Sequence, residues 1–276
     1  MRWAVIGFLL LTDRFMKRII ITLFAGLLFI TGCQSKIELP EEPWINQSIK
    51  KWPEFALTNT ISFKDTIFKN LANSFLVDTG TDTLGVSCKH LFMAFVNHPG
   101  LTTIDLGKEF EYWKMYPKNN PENNVTIENL INRNPDEAIG QFNTLKNRDW
   151  IIFEIAKGNS NLYPLKIRYA PVRKNEIVYA IGWGAKQKNI KHPAKIGFKN
   201  YKSVGNYYYM SPLETDANPH GRSGSPVVDK HGYLVGITSG AEGKLAIIGG
   251  VEYLQDLFDQ YNIDYKTSYS EVNNPS

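Results

Sequence analysis

The sequence predicts an all-β domain made of many short strands. Apolar and polar residues alternate mostly with a period of two, and turn-forming residues interrupt that alternation at short intervals. Size agrees: about 240 residues remain after the first 32, within the range of one all-β domain and enough to bury a large core. Strands are expected at 59–63, 73–78 and 83–88, the last two joined by the turn Thr79-Gly80-Thr81-Asp82. A polar stretch from about 114 to 148, with Asn119, Asn120, Pro121, Asn123 and Asn124, reads as a surface insertion carrying short helices at 126–132 and 136–144. Further strands are expected near 150–156, 166–170, 176–181, 196–202, 205–210, 226–228, 233–239 and 244–249. Helical apolar spacing then runs from Glu252 to Tyr261, and 263–276 is a polar tail. No internal repeat is visible.

The first residues have the layout of an export signal. Met16-Lys17-Arg18 precedes a run of 14 uncharged residues, Ile19 to Gly32, and then Cys33. That run is short for a bilayer span, and Ile30-Thr31-Gly32-Cys33 resembles the bacterial lipobox, which leaves the cysteine as a lipid-bearing N-terminus. Residues 1–32 are therefore expected to be a lipoprotein signal peptide starting at Met1 or Met16. Cys33 would be acylated, and residues 33–54, with Pro40, Pro43 and Pro53, would tether a domain over 55–262. A cleaved signal without lipid and an uncleaved anchor using both apolar runs are the alternatives. Lipidation implies a bacterial envelope location; Gln34 resembles proteins forwarded to the outer membrane.

Charge and cysteine usage narrow the classes further. Arg2, Arg14, Lys17 and Arg18 against Asp13 place +3 of the net +4 before Cys33, so the remainder carries about +1, with nothing to suggest a nucleic-acid partner. The two cysteines are Cys33 and Cys88. With Cys33 acylated, Cys88 has no partner and is expected to pack as a small buried group beside His90. His98, His192 and His231 show no metal-ligand spacing and are expected at the surface; no cofactor is implied.

The chemistry concentrates in Gly221-Arg222-Ser223-Gly224-Ser225-Pro226-Val227-Val228, a glycine-flanked serine in a tight turn that enters a buried strand. Gly221 permits a backbone in which the N–H groups of Gly221 and Ser223 converge on one point. Upstream, Leu84-Gly85-Val86-Ser87-Cys88-Lys89-His90 is a small-residue strand ending in histidine, and Asn147-Arg148-Asp149-Trp150-Ile151-Ile152 sets an acid before an apolar strand. A serine hydroxyl needs a base to accept its proton during attack, a neutral imidazole supplies one, and a carboxylate on the other ring nitrogen orients it.

These segments resemble the trypsin/chymotrypsin-like serine peptidases, nearest their bacterial Deg/HtrA-like branch but without room for a PDZ module after the helix. The resemblance covers roughly residues 55–262 and implies two six-stranded antiparallel β-barrels with a C-terminal helix and a cleft between the barrels. Carried over position by position, His90 would be the general base, Asp149 its orienter and Ser223 the nucleophile, with Gly221 and Ser223 forming the oxyanion hole. The order His, Asp, Ser argues against an α/β-hydrolase. The primary pocket would be walled by Thr215 to Ala217 and by Thr238, Ser239 and Gly240. Ala217, where an acid would select Lys or Arg, points to a small or apolar substrate side chain. The 114–148 insertion would lie near the cleft, which Trp183 and Tyr207-Tyr208-Tyr209 could also line, although core packing suits each of these better. Two departures concern the oxyanion loop: His220 intervenes before Gly221, and Arg222 stands where Asn or Asp is usual. The expected activity is an envelope serine endopeptidase acting on polypeptides. The alternative is an inactive peptidase-fold protein that binds peptides or a partner.

Overall fold

A computed structural model describes residues 40–97, 101–158, 160–184, 187, 191–214 and 221–267. The leader, Cys33, and the first residues of the expected tether lie outside them, as do Thr215, Ala217, His98 and His220.

The first barrel begins with β1 (Leu57–Phe63), β2 (Thr66–Asp78) and β3 (Thr83–Ser87), followed by a 3-10 helix over Lys89–Phe95. The short β4 (Thr103–Ile104) leads to β5 (Phe110–Tyr116), β6 (Val125–Leu130) and β7 (Asn134–Ala138). A one-turn helix α1 (Phe142–Leu145) precedes β8 (Ile151–Ile155). Strands run in the order β1-β5-β6-β8-β3-β2, and β2 pairs back with β1 to close the barrel. The short β9 (Leu165–Lys166) adds alongside β2 in parallel. The second barrel consists of β10 (Ile177–Gly182), β11 (Ala194–Val204), β12 (Tyr207–Pro212), β13 (Pro226–Val228), β14 (Leu234–Glu242) and β15 (Leu245–Gly250). It closes in the order β10-β11-β12-β15-β14-β13. Both barrels are antiparallel throughout, so the two six-stranded barrels and terminal helix are present as expected.

Each barrel has its own core. Leu57, Ile61, Phe75, Val77, Val86, Trp113, Ile152 and Phe153 fill the first, while Val178, Ala180, Val227, Val235 and Ile248 fill the second. The helix α2 (Val251–Gln260) lays Val251, Leu254, Leu257 and Phe258 on the first cluster. This i, i+3, i+4 stripe is the one legible in the sequence.

Three expectations need correction. The helix expected at 126–132 is β6 over most of its length, and the one expected at 136–144 is the end of β7 followed by the single turn of α1. The cause is a bulge. Val125 and Ile127 face the core with strand alternation, but a register shift between Ile127 and Asn129 turns Leu130 inward, so the apolar spacing imitates a helix. The end of β5 and all of β6 are therefore barrel wall, while β7 pairs with β4 in a separate two-stranded sheet. Next, residues 40–54 are not a free tether. Trp44 is buried and packs on Trp52 and Phe55 with ring centroids 5.1 and 4.7 Å away. Buried Glu42 accepts from Tyr163 Oη and pairs with Lys166 Nζ at 2.8 Å. The Glu42 N–H donates to the His231 carbonyl in the second barrel, and Tyr233 Oη donates to the Pro40 carbonyl. His231, expected at the surface, is mostly covered by this segment. A fully buried aromatic or aliphatic side chain contributes roughly 1.5–3 kcal/mol, so the segment is held firmly. Finally, the polar tail starts later than 263. Lys266 N–H donates to the Thr79 carbonyl, and Thr81 Oγ1 donates to the Asp264 carbonyl, pinning 263–267 to the turn after β2.

Strand β2 carries concentrated strain. Asn70 and Ala72 have φ of 54° and 52°, left-handed values for residues with a Cβ, beside register shifts against β1. Thr58 Oγ1 and Asn59 Nδ2 hold the bulge by donating to the Ala72 and Leu71 carbonyls at 2.9 and 2.8 Å. The left-handed region costs an alanine about 1–2 kcal/mol, whereas glycine pays roughly 0.5–1 kcal/mol in chain entropy. Ala72→Gly should therefore stabilise the protein by about 0.5–1 kcal/mol. Urea unfolding should show it as a higher midpoint at unchanged slope; a lower midpoint would mean that Ala72 is not strained.

Candidate active site

The site assembles where β3, β8 and the loop before β13 meet. Small residues bring β3 to its end at Ser87, and buried Leu91, Phe92 and Phe95 anchor the 3-10 helix so that His90 faces outward with its side chain 16% exposed. Asp149, fully buried just before β8, grips the histidine twice. Its Oδ2 lies 2.7 Å from His90 Nδ1, and its Oδ1 accepts from the His90 backbone N–H at 2.7 Å. Its own carbonyl accepts from Lys89 N–H at 3.3 Å. A carboxylate only accepts, so Nδ1 carries the proton and the neutral ring keeps its lone pair at Nε2. That lone pair can take a proton from a hydroxyl, given one in reach.

Buried Cys88 places its Sγ 3.8 Å from His90 Nε2, beside the histidine as expected. Burial of the imidazole favours its neutral form, but Cys88 and the Asp149 carboxylate favour the charged form and prevail, holding the pKa well above 6.5. Lys89 is also buried. Burial pulls its pKa down against the opposing pull of Glu137, 3.2 Å away, which Arg148 also approaches at 3.4 Å. The Phe142 ring on α1 stands edge-on to His90 with centroids 5.5 Å apart. Phe142 also covers Gly240, where a Cβ would lie 2.4 Å from its Cζ. Lys146 then reaches Tyr209 Oη and Glu242 Oε2 at 3.3 and 3.2 Å, so the α1 segment crosses from one barrel to the other beside His90.

The serine loop is fixed at each peptide plane from Gly221 to Ser225. Gly221 and Gly224 adopt φ of 78° and 79°. The Ser225 N–H donates to the Arg222 carbonyl at 2.9 Å, and the Gly224 N–H to the Thr238 carbonyl at 2.8 Å. Ser223 is half-buried, and its carbonyl accepts the Asn73 N–H at 2.6 Å. The Asn73 carbonyl accepts Ser87 Oγ at 2.8 Å, three residues before His90. The loop thus abuts the strand end that leads to the histidine. The Arg222 side chain, 8% exposed, points away along the barrel, with Nη1 3.3 Å from the Gly182 carbonyl; burial lowers its pKa.

Of the expected pocket residues, Thr238 and Ser239 are buried, and Gly240 is partly exposed under Phe142. Trp183 and Tyr208 are core residues: Trp183 Nε1 donates to the Ala56 carbonyl at 2.9 Å, and Tyr208 is 1% exposed. Among the described residues no cluster of His, Cys, Asp and Glu could hold a metal ion. Asn73 and Phe142 were missed in the sequence. A polar residue opening the otherwise apolar Phe75-Leu76-Val77 strand was the available signal for Asn73; Phe142 gave none.

Residues 73–237 match the trypsin-like peptidase domain family, and the chain belongs to that family. No curated protein matches it. Among solved structures it is similar to the Rv3671c protease of M. tuberculosis. The active form is 11% identical with TM-score 0.49 over 81% of this chain and 88% of that one. The inactive form is 11% identical with TM-score 0.50 over 81% and 95%. A serine endoprotease from Yersinia pestis is 15% identical with TM-score 0.51 over 81% and 68%. At such identities the likeness concerns the fold.

The raised His90 pKa has a signed consequence. It adds stability that is fully present below pH 6.5 and is lost as pH rises through the folded-state value. In an NMR titration His90 should titrate above 6.5, and Asp149→Asn should move it down because burial remains. A wild-type midpoint at or below 6.5 would mean that the carboxylate does not govern the ring.

Proposed function

We propose that this protein is a serine endopeptidase in which Ser223 is the nucleophile, His90 the general base and Asp149 its orienter. The observation that carries the reading is the double grip of buried Asp149 on His90, at Nδ1 and at the backbone N–H, within a chain of the trypsin-like peptidase family. Ser223 Oγ attacks the carbonyl carbon of a peptide bond while His90 Nε2 takes the hydroxyl proton. The oxyanion that forms is met by the N–H groups of Gly221 and Ser223, donors of a kind worth about 3–4 kcal/mol each. When the C–N bond breaks, His90 gives its proton to the leaving amine. Water then attacks the acyl-enzyme, losing a proton to His90, and the ester bond breaks to free the acid and restore Ser223. Asp149 stays ionised throughout and stabilises the imidazolium. Ala217 at the expected pocket wall favours substrates with a small or apolar side chain before the cleaved bond.

A fluorophosphonate probe tests the reading, because only an activated serine labels. Wild-type protein should label at a pH above the raised His90 pKa, where Nε2 is free to take the hydroxyl proton, and Ser223→Ala should not. A folded wild type that fails to label would leave a peptide-binding protein of peptidase fold.

The same reading places the enzyme in a bacterial envelope, held by acyl chains on Cys33; the lipobox at 30–33 behind a basic, apolar leader supports this. Several chains at about 0.8 kcal/mol per buried CH₂ make such an anchor permanent. Cells fed an alkyne fatty acid should yield labelled wild-type protein and unlabelled, unprocessed Cys33→Ala. Equal processing of both without acyl mass would mean simple secretion.

A further inference from the structure

We infer that Asn73 is a positioning residue that, from the opposite barrel, holds the peptide planes on either side of the Ser223 N–H, one of the proposed oxyanion donors; this rests on the peptidase reading above. Asn73 is 1% exposed, and all of its polar groups are engaged. Its Nδ2 donates to the Gly221 carbonyl at 2.9 Å and the Trp183 carbonyl at 3.1 Å, and lies 3.4 Å from the Ser223 carbonyl. Its Oδ1 accepts the Trp183 N–H at 2.7 Å, and its backbone N–H donates to the Ser223 carbonyl. One residue of the first barrel therefore holds two carbonyls of the loop and both backbone groups of Trp183 beyond β10.

The consequence is orientation. The peptide planes after Gly221 and after Ser223 are pinned by Asn73, and the plane between them is pinned at the Arg222 carbonyl by Ser225 N–H. The remaining group of that middle plane is the Ser223 N–H, which must point opposite to the Arg222 carbonyl. A hydrogen-bond donor aimed in advance loses nothing to reorganisation when charge develops. The strained bulge at Asn70–Ala72 delivers Asn73 to this position, as expected where a strand must re-aim one side chain. The choice of asparagine follows. Aspartate would set an acceptor against three carbonyls, and leucine would leave them unpaired.

The experiment compares wild type, Asn73→Ser and Asn73→Asp for fluorophosphonate labelling of Ser223, resolved into KI and kinact, alongside Tm. Misaimed donors should lower kinact by about 10–100-fold with KI within about twofold in variants that still unfold cooperatively. Asn73→Ser, which keeps one short donor, should fall between wild type and Asn73→Asp. Folded variants with wild-type kinact would overturn the inference. Hydrogen exchange of the 221–225 amides gives a readout that does not need activity. It should quicken by about tenfold or more in Asn73→Ser with exchange in β14 unchanged; an unchanged loop would overturn the inference as well. A wild type that does not label sinks the peptidase reading instead, and the exchange result then stands by itself.

Discussion

The contact on which the site depends is backbone against backbone: Gly224 of the second barrel pressed on the Asn73 carbonyl of the first. A Cβ on Gly224 would lie 2.0 Å from that oxygen, so no side chain fits without moving one barrel off the other. Gly182 meets the same limit, since a Cβ there would fall 2.1 Å from Ser225 Oγ and 2.9 Å from Asn73 Oδ1. Close approach permits the short Asn73–Ser223 hydrogen bond, and that bond ties the serine loop to the strand end leading to His90. Glycine is required here by space as much as by φ.

Away from this contact, mostly buried polar groups tie the 40–55 segment and the segment between the barrels to the second barrel. Arg168 bridges Glu176 and Asp229 at 2.6 and 2.9 Å, fixing the turn that follows β13. Asp229 Oδ1 also accepts from the His231 and Tyr233 N–H groups. The 40–55 segment then runs from the His231 carbonyl to Ala56, whose carbonyl accepts Trp183 Nε1. Breaking one partner of such a buried network strands the other without solvent, at about 3–5 kcal/mol where a charge is left unpaired. These networks hold the barrels in the register that the site needs, and the hydrophobic cores supply the bulk of the stability.

Much of this was legible in the sequence, for stated reasons. Short continuous apolar runs, such as Ile151–Ile155 and Pro226–Val228, declare themselves because consecutive positions are buried on both faces, and the apolar stripe of α2 because its burial follows the helical period. So did the pairing of His90 with Asp149, where a small-residue strand ends in histidine and an acid precedes an apolar run. The β6 bulge was hidden because one extra residue turns strand spacing into helical spacing. The 40–54 strap was hidden because Trp44 and Ile45 sit among prolines and acids that read as solvated. Asn73 and Phe142 act on partners far along the chain, Gly221 and Gly240, and local pattern carries no trace of a partner so distant.

The most direct measurement is a crystal structure of the protein after reaction with a fluorophosphonate. The account predicts phosphorus bonded to Ser223 Oγ, with its phosphonyl oxygen about 2.7–3.1 Å from the Gly221 and Ser223 nitrogens. His90 should remain gripped by Asp149 and the Asn73 amide should still sit on the Gly221 carbonyl. An adduct on any other residue, or a phosphonyl oxygen turned away from those two N–H groups, would contradict it.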